Sequence, residues 1–303
     1  MINRRRTLTA VCGALVAALV GCTPVTPAPT AAPTPAPDFT QPGVATAMVH
    51  QLLTQAGSTK VLMLRIDADN VQVSVLADDK PVTWAYRDGQ AGKVNSDLQY
   101  VDQATFDVDR FNLSDVGALF RAAAGQCGSA SRQSLTIVDS SGGEVAMSVS
   151  TEPESRTVFF NPDGTLTPLL NFDTYSGVSA GVRDALGDRA MVYSVSVISD
   201  QGVTAEFPAS GSTNGIVRRT RGAKVPVITT TRSGGDLRPF AATRVSAAAI
   251  WKVVTQTRGQ ADIAEGSKWS VTIDNREKLT APRMYFSFGF TVVVADIDGT
   301  IIR

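Results

Sequence analysis

The clearest pattern in the chain has a period of two. Val71, Val73 and Val75 alternate with Gln72 and Ser74, as a strand with one dry and one wet face requires. Short apolar runs bounded by turn residues recur at 61–66, 71–75 and 82–86, and again at 135–138, 145–149 and 157–160. The C-terminal half repeats the theme at 191–198, 203–207, 215–220, 269–273, 284–288 and 290–295, where the last two runs are close enough to form one bent strand. Short connections predict antiparallel pairing. Helical spacing interrupts these strands at four places. Val44, Met48 and Leu52 form a stripe between Pro42 and Gly57, and a shorter, glycine-containing counterpart covers 177–187. Central helices are predicted after Asn112, with Asp115 completing a capping box, and after Ser246. Their apolar faces are Val116, Leu119, Phe120 and Ala123 in the first, and Ile250, Val253 and Val254 in the second.

The two halves match each other. Phe106, Arg110, Phe111 and Leu119 correspond to Phe240, Arg244, Val245 and Val253 at a constant offset of 134. Val44, Met48 and Leu52 correspond to Val178, Val182 and Leu186 at the same offset, and the Asp-Gly-Thr turns at 163 and 298 follow at 135. Shared order at a nearly fixed offset predicts a tandem duplication, with units at 42–168 and 173–303. Each is expected to be an α+β unit, α-β3-α-β3, in which two helices cover one face of a curved antiparallel sheet. In outline such a unit is similar to cystatin-like and β-lactamase-inhibitor-like repeats, a fold analogy that assigns no function.

The first 41 residues do not share this patterning. Arg4, Arg5 and Arg6 precede an apolar run to Leu19, too short for the roughly 17–25 residues of a membrane-spanning helix. A basic start followed by a short apolar run reads as an export signal over residues 1–21. Its end, Leu19-Val20-Gly21-Cys22, resembles the lipobox of bacterial lipoproteins. That resemblance implies signal-peptidase recognition through Leu19, Val20 and Gly21, diacylglycerol on Cys22 and attachment to the outside of the cell membrane through acyl groups. The arginines before Leu8 partly resemble a twin-arginine signal, with Thr9 departing from it. The Ala- and Gly-rich makeup resembles that of actinobacterial lipoproteins. Residues 22–41 are rich in Pro, Ala and Thr, with seven prolines between Thr23 and Pro42, and are expected to form an extended tether.

Loss of residues 1–21 would change the balance from 28 basic against 28 acidic residues to 25 against 28, a net charge of −3. That offers little attraction for nucleic acid. Val292-Val-Val-Ala-Asp296-Ile-Asp298-Gly-Thr300 resembles the first motif of haloacid-dehalogenase-type phosphatases, which implies an aspartate nucleophile, an aspartate acid/base and magnesium. Only Ile301, Ile302 and Arg303 follow it, and the paired position in the first half is Asn161, so a strand and turn are expected instead. His50 is the single histidine, no residues have metal-ligand spacing, and Cys127 is left without a partner thiol once Cys12 is removed and Cys22 acylated. No cofactor is expected.

Arg110 and Arg244 occupy equivalent places before the central helices, where a guanidinium is expected to hold loop carbonyls; ligand contact is the alternative. Arg218, Arg219, Arg221 and Lys224 form the most basic stretch, expected on a solvated strand edge, with an anionic envelope polymer as a possible partner. Met284, Tyr285, Phe286, Phe288 and Phe290 are expected in the core, or else lining an apolar pocket. These readings point to a non-enzymatic, lipid-anchored envelope protein that binds another envelope protein through its paired domains. The alternative is a carrier or sensor of a lipid, glycan or small hydrophobic ligand.

Overall fold

The computed structural model describes residues 36–95, 103–153, 156–210, 215–234, 237–260, 263 and 266–303. It is mixed α+β, with four helices and two seven-stranded antiparallel sheets. In the first half α1 (Val44–Ala56) leads into β1 (Val61–Ile66), β2 (Val71–Ala77), β3 (Lys80–Arg87) and β4 (Gln90–Val94). After a 3-10 turn at Val108–Arg110, α2 (Val116–Cys127) leads into β5 (Ser134–Ser141), β6 (Glu144–Ser150) and β7 (Thr157–Phe160). The strands lie in the order β4-β3-β2-β1-β5-β6-β7, so the chain returns from α2 to the free side of β1.

The second half runs α3 (Tyr175–Leu186), β8 (Met191–Val192), β9 (Ser194–Ile198), β10 (Gly202–Pro208), β11 (Gly215–Gly222) and β12 (Ile228–Ser233). It continues with β13 (Phe240–Ala241), a 3-10 turn at Ala242–Arg244, α4 (Ala247–Gln260), β14 (Ser270–Asp274), β15 (Arg283–Phe288) and β16 (Thr291–Asp296). Its main sheet has the order β12-β11-β10-β9-β14-β15-β16, strand for strand that of the first, while β8 and β13 pair separately.

Alternation decides which face each sheet buries. Val71, Val73 and Val75 are fully buried with Leu64 and Ile66 against Val49 and Leu52 of α1 and Leu119 and Phe120 of α2. In the second half Val195, Val197, Val203 and Phe207 meet Val178 and Val182 of α3 and Ile250 and Val253 of α4. The glycine inside α3 that lowers its helix propensity has a packing reason. A Cβ on Gly181 would come within 2.5 Å of the Phe172 ring and 2.8 Å of Val203, so only glycine lets α3 lie this close to the sheet.

Several details differ from the sequence reading. Each main sheet takes four strands, not three, from before its central helix; β4 and β12 are edge strands of weak apolar character. The runs at 284–288 and 290–295 are two strands, turned at Gly289 with φ +62°. The fold begins before Pro42. Phe39, placed in the tether by the sequence, is completely buried, its N–H donates to the Ala68 carbonyl at 2.9 Å, and its ring meets Tyr86 edge-on at 5.5 Å. Asp115, not Asn112, caps α2 by accepting from the Ala118 N–H at 2.7 Å, while Asn112 holds Ser114 and the Asp163 carbonyl. Ser246 does accept from the Ala249 N–H, at 3.2 Å.

Candidate functional site

The helices cover one face of the second sheet. The other face carries a continuous polar row. The pairing register sets Arg218 of β11, Glu206 of β10, Ser194 of β9, Asp274 of β14, Arg283 of β15 and Asp296 of β16 side by side across the sheet. Glu206 is its centre. Arg218 donates to Oε1 through Nε and Nη2 at 2.9 and 2.7 Å, and Arg232 of β12 donates to both carboxylate oxygens at 2.9–3.1 Å. Ser194 Oγ donates to Oε2 at 3.3 Å. Burial pushes the Glu206 carboxyl up, but the hydrogen bonds and charges of Arg232 and Arg218 outweigh it and hold it below the ordinary glutamate value. Asp274, also buried, takes three hydrogen bonds from the Arg276 guanidinium at 2.6–3.1 Å. The Arg276 guanidinium lies 4.1 Å from the centre of the Tyr285 ring. Burial, then the nearby Glu277 carboxylate, raise the Tyr285 phenol.

The other face of β11 does something different. Arg219 and Arg221 point toward α3. Arg219 donates to the Ala185 carbonyl at 3.1 Å and crosses to Glu144, in the β5–β6 hairpin of the first half, at 2.9 Å. Glu144 also accepts from Thr229 Oγ1 at 3.1 Å. Arg221 is almost wholly buried and binds the Asp184 carboxylate and the Gly222, Val225 and Pro168 carbonyls. The expected solvated edge is therefore corrected: β11 is an interior strand, because β12 pairs along its outer side, and alternation sends its arginines to opposite faces. Lys224 stands apart from them, exposed in the loop after β11, where it reaches a cleft along the seam between the halves.

Arg110 and Arg244 each end a 3-10 turn at matching places and are exposed. Among the described residues neither guanidinium takes a loop carbonyl, which corrects that expectation. Arg110 borders a groove of about 380 Å³ beside α1 that also contains His50. His50 Nε2 lies 3.0 Å from Asp109 Oδ1 with both side chains largely in water, and among the described residues no three His, Cys, Asp or Glu side chains are grouped to hold a metal ion. Cys127 is a free, buried thiol. Asp296 Oδ1 accepts from the Asp298 and Thr300 N–H groups at 3.1 and 2.7 Å, the bonding of a tight turn after β16. Leu19, Val20, Gly21 and Cys22 lie outside the described residues, among which no helix is long and apolar enough to cross a membrane.

Of the aromatic run in β15 and β16, Met284, Phe286 and Phe288 are core and Tyr285 lies on the open face. Phe290 is fully exposed at the hairpin turn, Val292 is 68% exposed on edge strand β16, and Ile302, whose N–H donates to the Val294 carbonyl, is also exposed. The sequence reading missed the Glu206 cluster. A lone Glu between Ala205 and Phe207 was its one visible signal.

No protein-family model matches the chain, and no curated protein matches it in sequence.

Proposed function

We propose that this chain is a bacterial cell-envelope lipoprotein. Residues 1–21 export it, acylated Cys22 holds it outside the membrane, and its folded part, a tandem duplication, binds another envelope protein without catalysing a reaction. The lipobox-like order of Leu19 to Cys22 supports the anchoring, and the common strand order of two sheets whose sequences match at an offset of 134 supports the duplication. One observation carries the binding role. Phe290, Val292 and Ile302 expose large apolar side chains along one edge strand, while the arginines of the neighbouring open face are already neutralised by carboxylates. Residues 300–303 pair with Val294–Asp296 of that edge, and Thr291 to Val293 lie beyond this pairing. An apolar cluster with a polar surround is the composition of a protein interface.

Native mass spectrometry of protein released gently from its host membrane tests the reading. The expected spectrum contains a stoichiometric protein companion that is lost from the Phe290→Glu/Val292→Glu double variant. A companion kept by that variant, or a small-molecule adduct with no companion, would sink it.

A further inference from the structure

The seam between the halves contains a cleft of about 510 Å³, within the usual range for small-molecule sites. Its lining comes from the end of α2, from β7, from the connector between the halves and from the loop after β11. We infer that this cleft binds a small phosphate-bearing ligand with an apolar tail.

Charge carries the argument. Arg156 and Lys224 both line the cleft, and none of its nine lining residues is acidic. In the second half Arg218, Arg219, Arg221, Arg232, Arg258, Arg276 and Arg283 each reach a carboxylate, whereas Arg189, Arg238 and Arg244 reach none among the described residues. Lys224 has no ion-pair partner among the described residues. Arg156 donates Nη1 to the Cys127 carbonyl at 2.8 Å, which fixes its direction, and its other side-chain N–H groups have no acceptor among the described residues. Two cations with no carboxylate partner among the described residues, set in a concave site, favour an anion, and a phosphate offers enough oxygens to meet both.

The rest of the wall narrows the ligand class. Val158, Phe159 and Leu169 are apolar, and Leu169 is 58% exposed, an arrangement better suited to covering a hydrocarbon chain than to water. Thr167 is also in the wall, with a buried hydroxyl that makes no hydrogen bond. It is one of several such hydroxyls among the described residues, and the one of them in this wall, where it can donate to an acceptor. This site is separate from the apolar edge of β16 and does not depend on the protein-binding role.

Calorimetric titration of the full chain in detergent with octyl phosphate, inorganic phosphate and octyltrimethylammonium tests the inference. Octyl phosphate should bind, and Lys224→Gln, a surface change that leaves the fold intact, should weaken it about tenfold, the size of one charge-assisted hydrogen bond. Lys224→Glu should abolish binding. Weaker binding of inorganic phosphate is expected for an amphiphile, such as a lipid headgroup with its chain; equal binding would identify a free phosphate and overturn the apolar tail. The inference falls if neither phosphate binds, if octyltrimethylammonium binds as well as octyl phosphate, or if Lys224→Gln leaves the affinity unchanged.

Discussion

Gly142 offers a direct test of how the halves are joined. It lies at the tip of the β5–β6 hairpin with φ +63°, and a Cβ built there would be 2.5 Å from the Thr229 carbonyl oxygen and 3.1 Å from its carbon, on β12 of the other half. Gly142→Ala therefore imposes two penalties. The left-handed backbone costs a residue with a Cβ about 1 kcal/mol. Overlap with a backbone carbonyl that cannot rotate away adds about 1–3 kcal/mol, the range for overpacking. Gly57→Ala is the matched control, since Gly57 has φ +65° and nothing within 4 Å of its Cβ position. It should lose only the backbone share. Urea unfolding followed by circular dichroism and by tryptophan fluorescence reads both, with Trp84 in the first half and Trp251 and Trp269 in the second. Gly142→Ala should lose about 1–3 kcal/mol more than the control, and if the seam opens first its transition should broaden or split. Equal losses for the two variants, within about 0.5 kcal/mol, would refute the idea that this hairpin tip bears on β12.

Two further outcomes follow from the polar groups. Glu206 has a folded-state value below its ordinary 4.5, so the stability it confers is present above that value and is lost as pH falls through the lower, folded one. Glu206→Gln should destabilise the protein at neutral pH, and the gap from wild type should narrow in acid; a gap that stays constant down to pH 2 would contradict this. Asp115→Ala should lower stability by about 1 kcal/mol by uncapping α2, and thermal unfolding should show no such cap loss for Asn112→Ser, which keeps a short hydroxyl side chain outside the helix.

What could be read from the sequence was whatever depends on local alternation. The runs at 61–66 and 157–160 coincide with β1 and β7, because each alternates or runs apolar over its whole length. The strands missing from the two main sheets are both edges. Gln90–Val94 contains a central glycine and one strongly apolar residue, and Ile228–Ser233 is threonine-rich; only pairing to β3 and β11 makes them strands. That omission hid the Glu206 cluster, since Arg232 lies on an unrecognised strand and meets Glu206 only through the register of three strands. It also turned β11 into an apparent edge. The capping of α2 was misplaced for a more local reason: Asn112 and Asp115 are both good caps, and the choice between them is made by the loop that Asn112 ties to Asp163. Phe39 could not be recognised, because a single aromatic residue within a proline-rich stretch has no period.

Arg221 determines where the chain can be divided. Its guanidinium gathers acceptors from α3, from the loop after β11 and, through the Pro168 carbonyl, from the connector. The Leu170 N–H and Ala223 carbonyl add a second tie to that connector at 2.9 Å. A fragment cut at residue 173 would carry a buried cation with one acceptor removed. A second half taken for separate expression, grafting or circular permutation must therefore start at or before Pro168 to keep that acceptor, upstream of residue 173.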